Sequence, residues 1–270
     1  MEKMKLMLGV IPGYGHENKD LTVDNALRVG TEEWIKATEE VAQMQSDKDN
    51  PESENLYQIN GTFVPAMAVY SKGFGCPEGG EVGIQINAEM AEGQDPEVFR
   101  KSVMKTAEVA MAKLGQSTTT IEWSSDEKAA GTSYLSEGGK KVSENSPSEV
   151  EIERFSVTLG DGSLSNEEYV RVGSAIQAAM NIVSQTPTVQ EDEEAGDYYM
   201  ISGVMTPGEN GVSFGASQNP MYGQTDNNLY KKSVQKTVEM AMKTLGQTKA
   251  EIDFGAEKVT VDLEAKQEER

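Results

Sequence analysis

The two side chains most often used for acid–base and nucleophilic work at neutral pH occur once each in these 270 residues: one histidine, His16, and one cysteine, Cys76. An internal disulfide and any many-histidine metal site are therefore excluded. His16 lies in Gly13-Tyr14-Gly15-His16-Glu17-Asn18, between an apolar run and a predicted helix, where a phosphate-cradling loop would sit. The run lacks the third glycine of a dinucleotide fingerprint, and no Lys-Ser or Lys-Thr follows as in a P-loop. A connecting loop is the simpler reading, with His16 and Tyr14 as weak catalytic candidates. Cys76 falls in the glycine-dense stretch 73–80. A nucleophilic thiolate there would need a base and a positive environment, so a turn with an incidental thiol is the simpler reading.

Acidic clusters at Asp47-Lys48-Asp49-Asn50-Pro51-Glu52 and Glu191-Asp192-Glu193-Glu194 are rich in oxygen. They lack EF-hand spacing, and Pro51 stands where a calcium ligand should be. No metal site and no cofactor is expected. Lys101, Lys105, Lys232 and Lys236 recur on two matching helices and are candidates for a paired anion or partner site, against the plainer reading of exposed Lys/Glu faces. Tyr57 and Tyr199, on predicted strands, are candidate ligand contacts should a cavity lie beside them; core packing is the alternative.

These residues are positioned by a chain that repeats itself. Residues 100–116, RKSVMKTAEVAMAKLGQ, agree with residues 231–247, KKSVQKTVEMAMKTLGQ, at 11 of 17 positions with an offset of 131. Arg28-Val29-Gly30 matches Arg171-Val172-Gly173 at an offset of 143, so the first copy carries about 12 extra residues between these anchors. Val103, Ala107, Ala110, Met111 and Leu114 trace one helical face, and Val234, Val238, Ala241, Met242 and Leu245 trace the same face in the second copy. Each helix ends in Leu-Gly, a stop signal. Thr22 or Asp24 is expected to cap the first helix of copy one. Ser165, with Glu168 three residues on, forms a capping box in copy two.

Each copy reads β-α-β-β-α-β. The expected fold is α+β: a tandem duplication of a ferredoxin-like sandwich, antiparallel sheets with helices on one face. The expected organisation is a first repeat at 1–123, a flexible linker at 124–149, a second repeat at 150–254, and a tail at 255–270 with a possible edge strand. Strands are expected at 57–70, interrupted by Pro65, and at 198–205, with a turn at 206–211. The two sheets would each leave one face bare, to be covered by the other.

Composition narrows the function. With 45 acidic and 24 basic residues the formal net charge is −21, which disfavours direct nucleic-acid binding and anionic membranes. No apolar run approaches a membrane span, and the N-terminal run reads as a first strand rather than a signal peptide, giving a cytoplasmic location as the expectation. The reading is a non-enzymatic binding or assembly protein whose two lobes engage a protein partner, a basic one fitting the charge. The alternatives are a cofactor-independent enzyme or small-ligand carrier using a cleft between the sheets, and a structural subunit of a larger assembly.

Overall fold

The computed structural model describes residues 2–11, 21–44, 56–125, 131–136, 141–145, 154–162, 164–185, 201–217 and 226–265. Its elements run β1 (Glu2–Gly9), α1 (Val23–Met44), β2 (Thr62–Val69), β3 (Glu81–Glu89), α2 (Pro96–Leu114), β4 (Thr118–Ser125), β5 (Gly131–Ser136) and β6 (Lys141–Asn145). They continue with β7 (Arg154–Leu159), α3 (Asn166–Gln185), β8 (Gly203–Gly208), β9 (Gly211–Ser217), α4 (Asn227–Leu245), β10 (Lys249–Asp253) and β11 (Lys258–Asp262). The protein is thus α+β, with four α-helices among the described residues and antiparallel strand pairing. The chain forms two compact units, interleaved in sequence: Met1–Ala66 with Val82–Glu151, and Met67–Glu81 with Ile152–Arg270.

In the first unit the strands follow the order β2-β3-β1-β4-β5-β6. Register fixes the two faces, because successive side chains alternate. Leu6 lies between Ile86 and Ile121, and Met4 between Ala88 and Trp123, all buried. The helices cover this face: Phe99 of α2 meets Trp123 edge-on at 6.2 Å, and a Cβ added to Gly30 of α1 would stand 2.9 Å from Ile84. The opposite face carries Lys3, Lys5, Met7, Gln85, Asn87, Glu89, Thr120 and Glu122. Lys3 pairs with Glu89 at 3.2 Å and Lys5 with Glu122 at 4.0 Å.

In the second unit the order is β11-β10-β7-β9-β8, and Met67–Val69, the end of β2, pairs antiparallel with β8. Phe155, Val157 and Leu159 of β7 face the helices with Phe214 and Ile252. Tyr230 of α4 reaches Phe155 at 6.3 Å. Ser156, Thr158, Ser213, Glu251 and Asp253 take the other face. The second faces of both sheets are polar, which removes the physical reason for expecting each to need the other as cover.

Local signals set the helix ends. Thr22 accepts from Asn25 N–H at 3.3 Å, and Ser165 from Glu168 N–H at 3.2 Å. Asp95 and Asp226 cap α2 and α4, and Gly115 and Gly246 end them at φ 65° and 71°. Three segments differ from expectation. β2 starts at Thr62 and runs through Pro65, its ladder with β8 beginning only at Met67, past the residue that has no N–H to donate. β8 starts at Gly203 and runs through Pro207, leaving Glu209-Asn210 as the turn. Segment 124–149, expected as a linker, holds the end of β4 and the strands β5 and β6: β5 extends the edge of β4, and β6 extends β5. In the tail, β11 lies along β10.

Candidate functional site

Three strands and one turn converge on an exposed recess of about 350 Å³ on the second sheet face of the second unit. Ser156 and Thr158 come from β7, Glu209 and Asn210 from the β8–β9 turn, Glu251 and Asp253 from β10, and Lys258 from β11. The side chains share a face because Asp253 pairs with both Ser156 and Lys258 in the ladder, while Ile252 points to the core. Lys258 binds Glu251 at 2.7 Å and approaches Asp253 at 4.0 Å. Those two carboxylates raise its pKa, first through the Glu251 hydrogen bond. Three carboxylates against one ammonium leave the recess acidic. Hydroxyls of Ser156 and Thr158 and the amide of Asn210 add donors and acceptors.

None of these recess residues was singled out from the sequence. The signal was present in the alternation of Glu251 and Asp253 around Ile252, which places both carboxylates on one face. What was missing was the pairing of β10 with β7 and β11, a tertiary fact.

The residues nominated from the sequence are distributed elsewhere. Tyr14, His16 and Tyr199 lie outside the described residues. Cys76 is buried beneath α3: Gln177 Nε2 donates to its Sγ at 3.0 Å, and burial pushes the thiol up to about 11. A thiol so placed stays protonated at neutral pH. Tyr57 is half-buried; burial, reinforced by Asp95, pushes its hydroxyl up to about 12. Its backbone N–H donates to Ser102 Oγ at 3.1 Å, tying the segment before β2 to α2.

Lys101 pairs with Glu97 at 3.0 Å, Lys105 with Glu108 at 2.9 Å, and Lys236 approaches Glu239 at 4.0 Å; Lys232 is exposed. The three paired lysines face carboxylates three or four positions away on their own helices. The positions just before them carry more. Arg100 lies over the Trp123 ring at 5.7 Å and binds Glu2 bidentately at 2.6 and 2.9 Å. Lys231 lies over Phe254 at 5.6 Å and binds Glu257 at 2.7 Å.

Among the described residues no group of three or more His, Cys, Asp and Glu could hold a metal ion, and no helix is long and apolar enough to cross a membrane. No family model matches the chain, and no curated protein matches it. Among solved structures, the crystal structure of a provisionally assigned chlorite dismutase aligns over 97% of this chain and 94% of that chain, at 11% identity and a TM-score of 0.22. At that TM-score neither a fold nor a function transfers.

Proposed function

We propose that the chain is a non-enzymatic binding or assembly protein, built from two pseudo-equivalent ferredoxin-like lobes, that engages a basic protein partner through the acidic recess. The recess itself carries this reading: an exposed sheet face gathering Glu209, Glu251 and Asp253 around a single lysine favours cationic side chains at its mouth. The chain's charge of −21 would steer such a partner from a distance. Duplication is supported beyond the sequence repeat. Arg100 over Trp123 and Lys231 over Phe254 are the same cation–π contact at the same offset of 131. Ser102 and Thr106 bond back to the carbonyls four residues before them, as Ser233 and Thr237 do. The strand orders β2-β3-β1-β4 and β8-β9-β7-β10 correspond element for element. A cytoplasmic location belongs to the same reading.

Fluorescence anisotropy of a labelled oligolysine peptide tests it. Replacing Glu209, Glu251 and Asp253 by their amides should weaken binding about tenfold, from roughly 0.5 kcal/mol per exposed charge. Amide replacement of Glu32, Glu39 and Glu40 on α1 is the charge-matched control and should change it little. Equal losses in the two variants would mean that affinity follows net charge alone, and the recess would lose its role.

A further inference from the structure

Residues 67–81 join the second unit by two unlike devices. Met67–Val69 forms a three-residue ladder with Gly203–Met205 of β8. From Tyr70 to Gly80 there is no ladder, and one fully buried side chain of α3, Gln177, bonds to the segment at several points. Its Oε1 accepts from Gly79 N–H at 3.0 Å. Its Nε2 donates to the Pro77 carbonyl at 2.8 Å and to Cys76 Sγ at 3.0 Å, with the Tyr70 carbonyl at 3.4 Å. The side-chain amide thus pairs with the backbone of 77–79 as a strand would. The fit is close because glycines meet: a Cβ on Gly79 would stand 2.9 Å from the Val170 Cα, and one on Gly173 would run into the Gly79 carbonyl. Lys72 and Gly73 are exposed, and Tyr70 turns its hydroxyl to Glu81, within the segment, at 2.9 Å.

Connections that carry no ladder and are held by a few hydrogen bonds open below the free energy of the whole, and in 70–80 Lys72, Gly73 and Glu78 are exposed. We propose that residues 70–80 form a strap that opens and recloses on α3 as a cooperative unit of its own, with Gln177 as its latch.

Cys76 is the sole thiol of the chain and is buried under the closed strap, so its alkylation reports opening. The full-length protein is labelled with iodoacetamide across denaturant concentrations below the global transition. The expected rate depends on denaturant with a slope well below that of global unfolding, because little surface is exposed. Q177A should label about ten- to a hundredfold faster, as expected for stranding the Gly79 N–H and Pro77 carbonyl, with unchanged circular dichroism. A wild-type slope equal to the global one overturns the proposal, as does wild-type labelling speed in folded Q177A. If Q177A does not fold, the wild-type slope alone decides.

Discussion

Helices α1 and α3 hold the same place in the element order of their units, yet one fully buried position is chemically opposite in the two. Trp34 in α1 and Gln177 in α3 stand 143 residues apart, the spacing that aligns Arg28-Val29-Gly30 with Arg171-Val172-Gly173. Trp34 fills space, and its Nε1 meets no acceptor among the described residues. Gln177 buries a primary amide whose two ends are satisfied by a segment about a hundred residues away in sequence. A core position tolerates a polar group when the partner is fixed backbone, and tolerates an unpaired N–H when the ring around it contributes enough area. The β2–β3 connection that supplies the partner in one unit spans residues 70–80, where the β8–β9 connection is Glu209-Asn210. Most of the extra length in the first half of the chain lies there.

The largest effect separates these two modes. W34A should cost about 3–5 kcal/mol in denaturant unfolding, the range for emptying a buried aromatic site. W34F should cost far less, since the indole N–H has no partner among the described residues. A W34F loss matching W34A would show that the indole N–H has a partner after all, and would blur the contrast with Gln177. Next comes Q177L, which keeps the bulk and removes both ends of the amide: about 1–3 kcal/mol is expected from the unsatisfied Gly79 N–H and Pro77 carbonyl. A neutral Q177L would make packing, not pairing, the rule in both helices.

A pH series sharpens the same contrast from the side of the strap. Burial holds the Cys76 thiol up at about 11 in the folded protein, against an ordinary 9.0. A raised folded pKa means that the folded state holds its proton more tightly. This contribution is fully present below pH 9 and is lost as pH rises through 11. Wild type should therefore lose thermal stability relative to C76A between these limits and track it below them. Parallel curves would place the thiol in water and weaken the picture of a closed strap.

How much of this was legible in the sequence follows the range of the interactions. α2 and α4 were readable because their apolar period and Leu-Gly stops are local. The β-α-β-β-α-β order was readable for the same reason. The strand bounds near Pro65 and Pro207 shifted because ladder register, not residue preference, decides where pairing starts. β5 and β6 were hidden in a Ser/Gly/Glu composition that reads as linker until the edge of β4 offers hydrogen bonds. The recess and the strap were not readable at all, since Ser156 meets Asp253 and Gln177 meets Gly79 only through tertiary pairing. Gln177 on an amphipathic helix looks like a solvated residue. Its alignment with Trp34 was the one hint that its position is core.

The smallest expected effect concerns α2 and α4, the helices whose sequences match. Asp95 accepts from Glu97 N–H at 2.7 Å, while Asp226 accepts from both Asn228 and Leu229 N–H at 2.9 and 3.0 Å. Pro96 follows Asp95 and presets the first turn of α2 without needing a partner for an N–H. Each cap replaced by alanine should cost about 1 kcal/mol, with D226A at or slightly above D95A because it strands one more donor and has no proline behind it. Equal or nearly equal losses, read from denaturation midpoints at constant slope, would mark α2 and α4 as one helix used twice. A large excess for either would mean that even the two matching helices sit in different energetic surroundings, and that Trp34 and Gln177 are part of a wider difference between the two units.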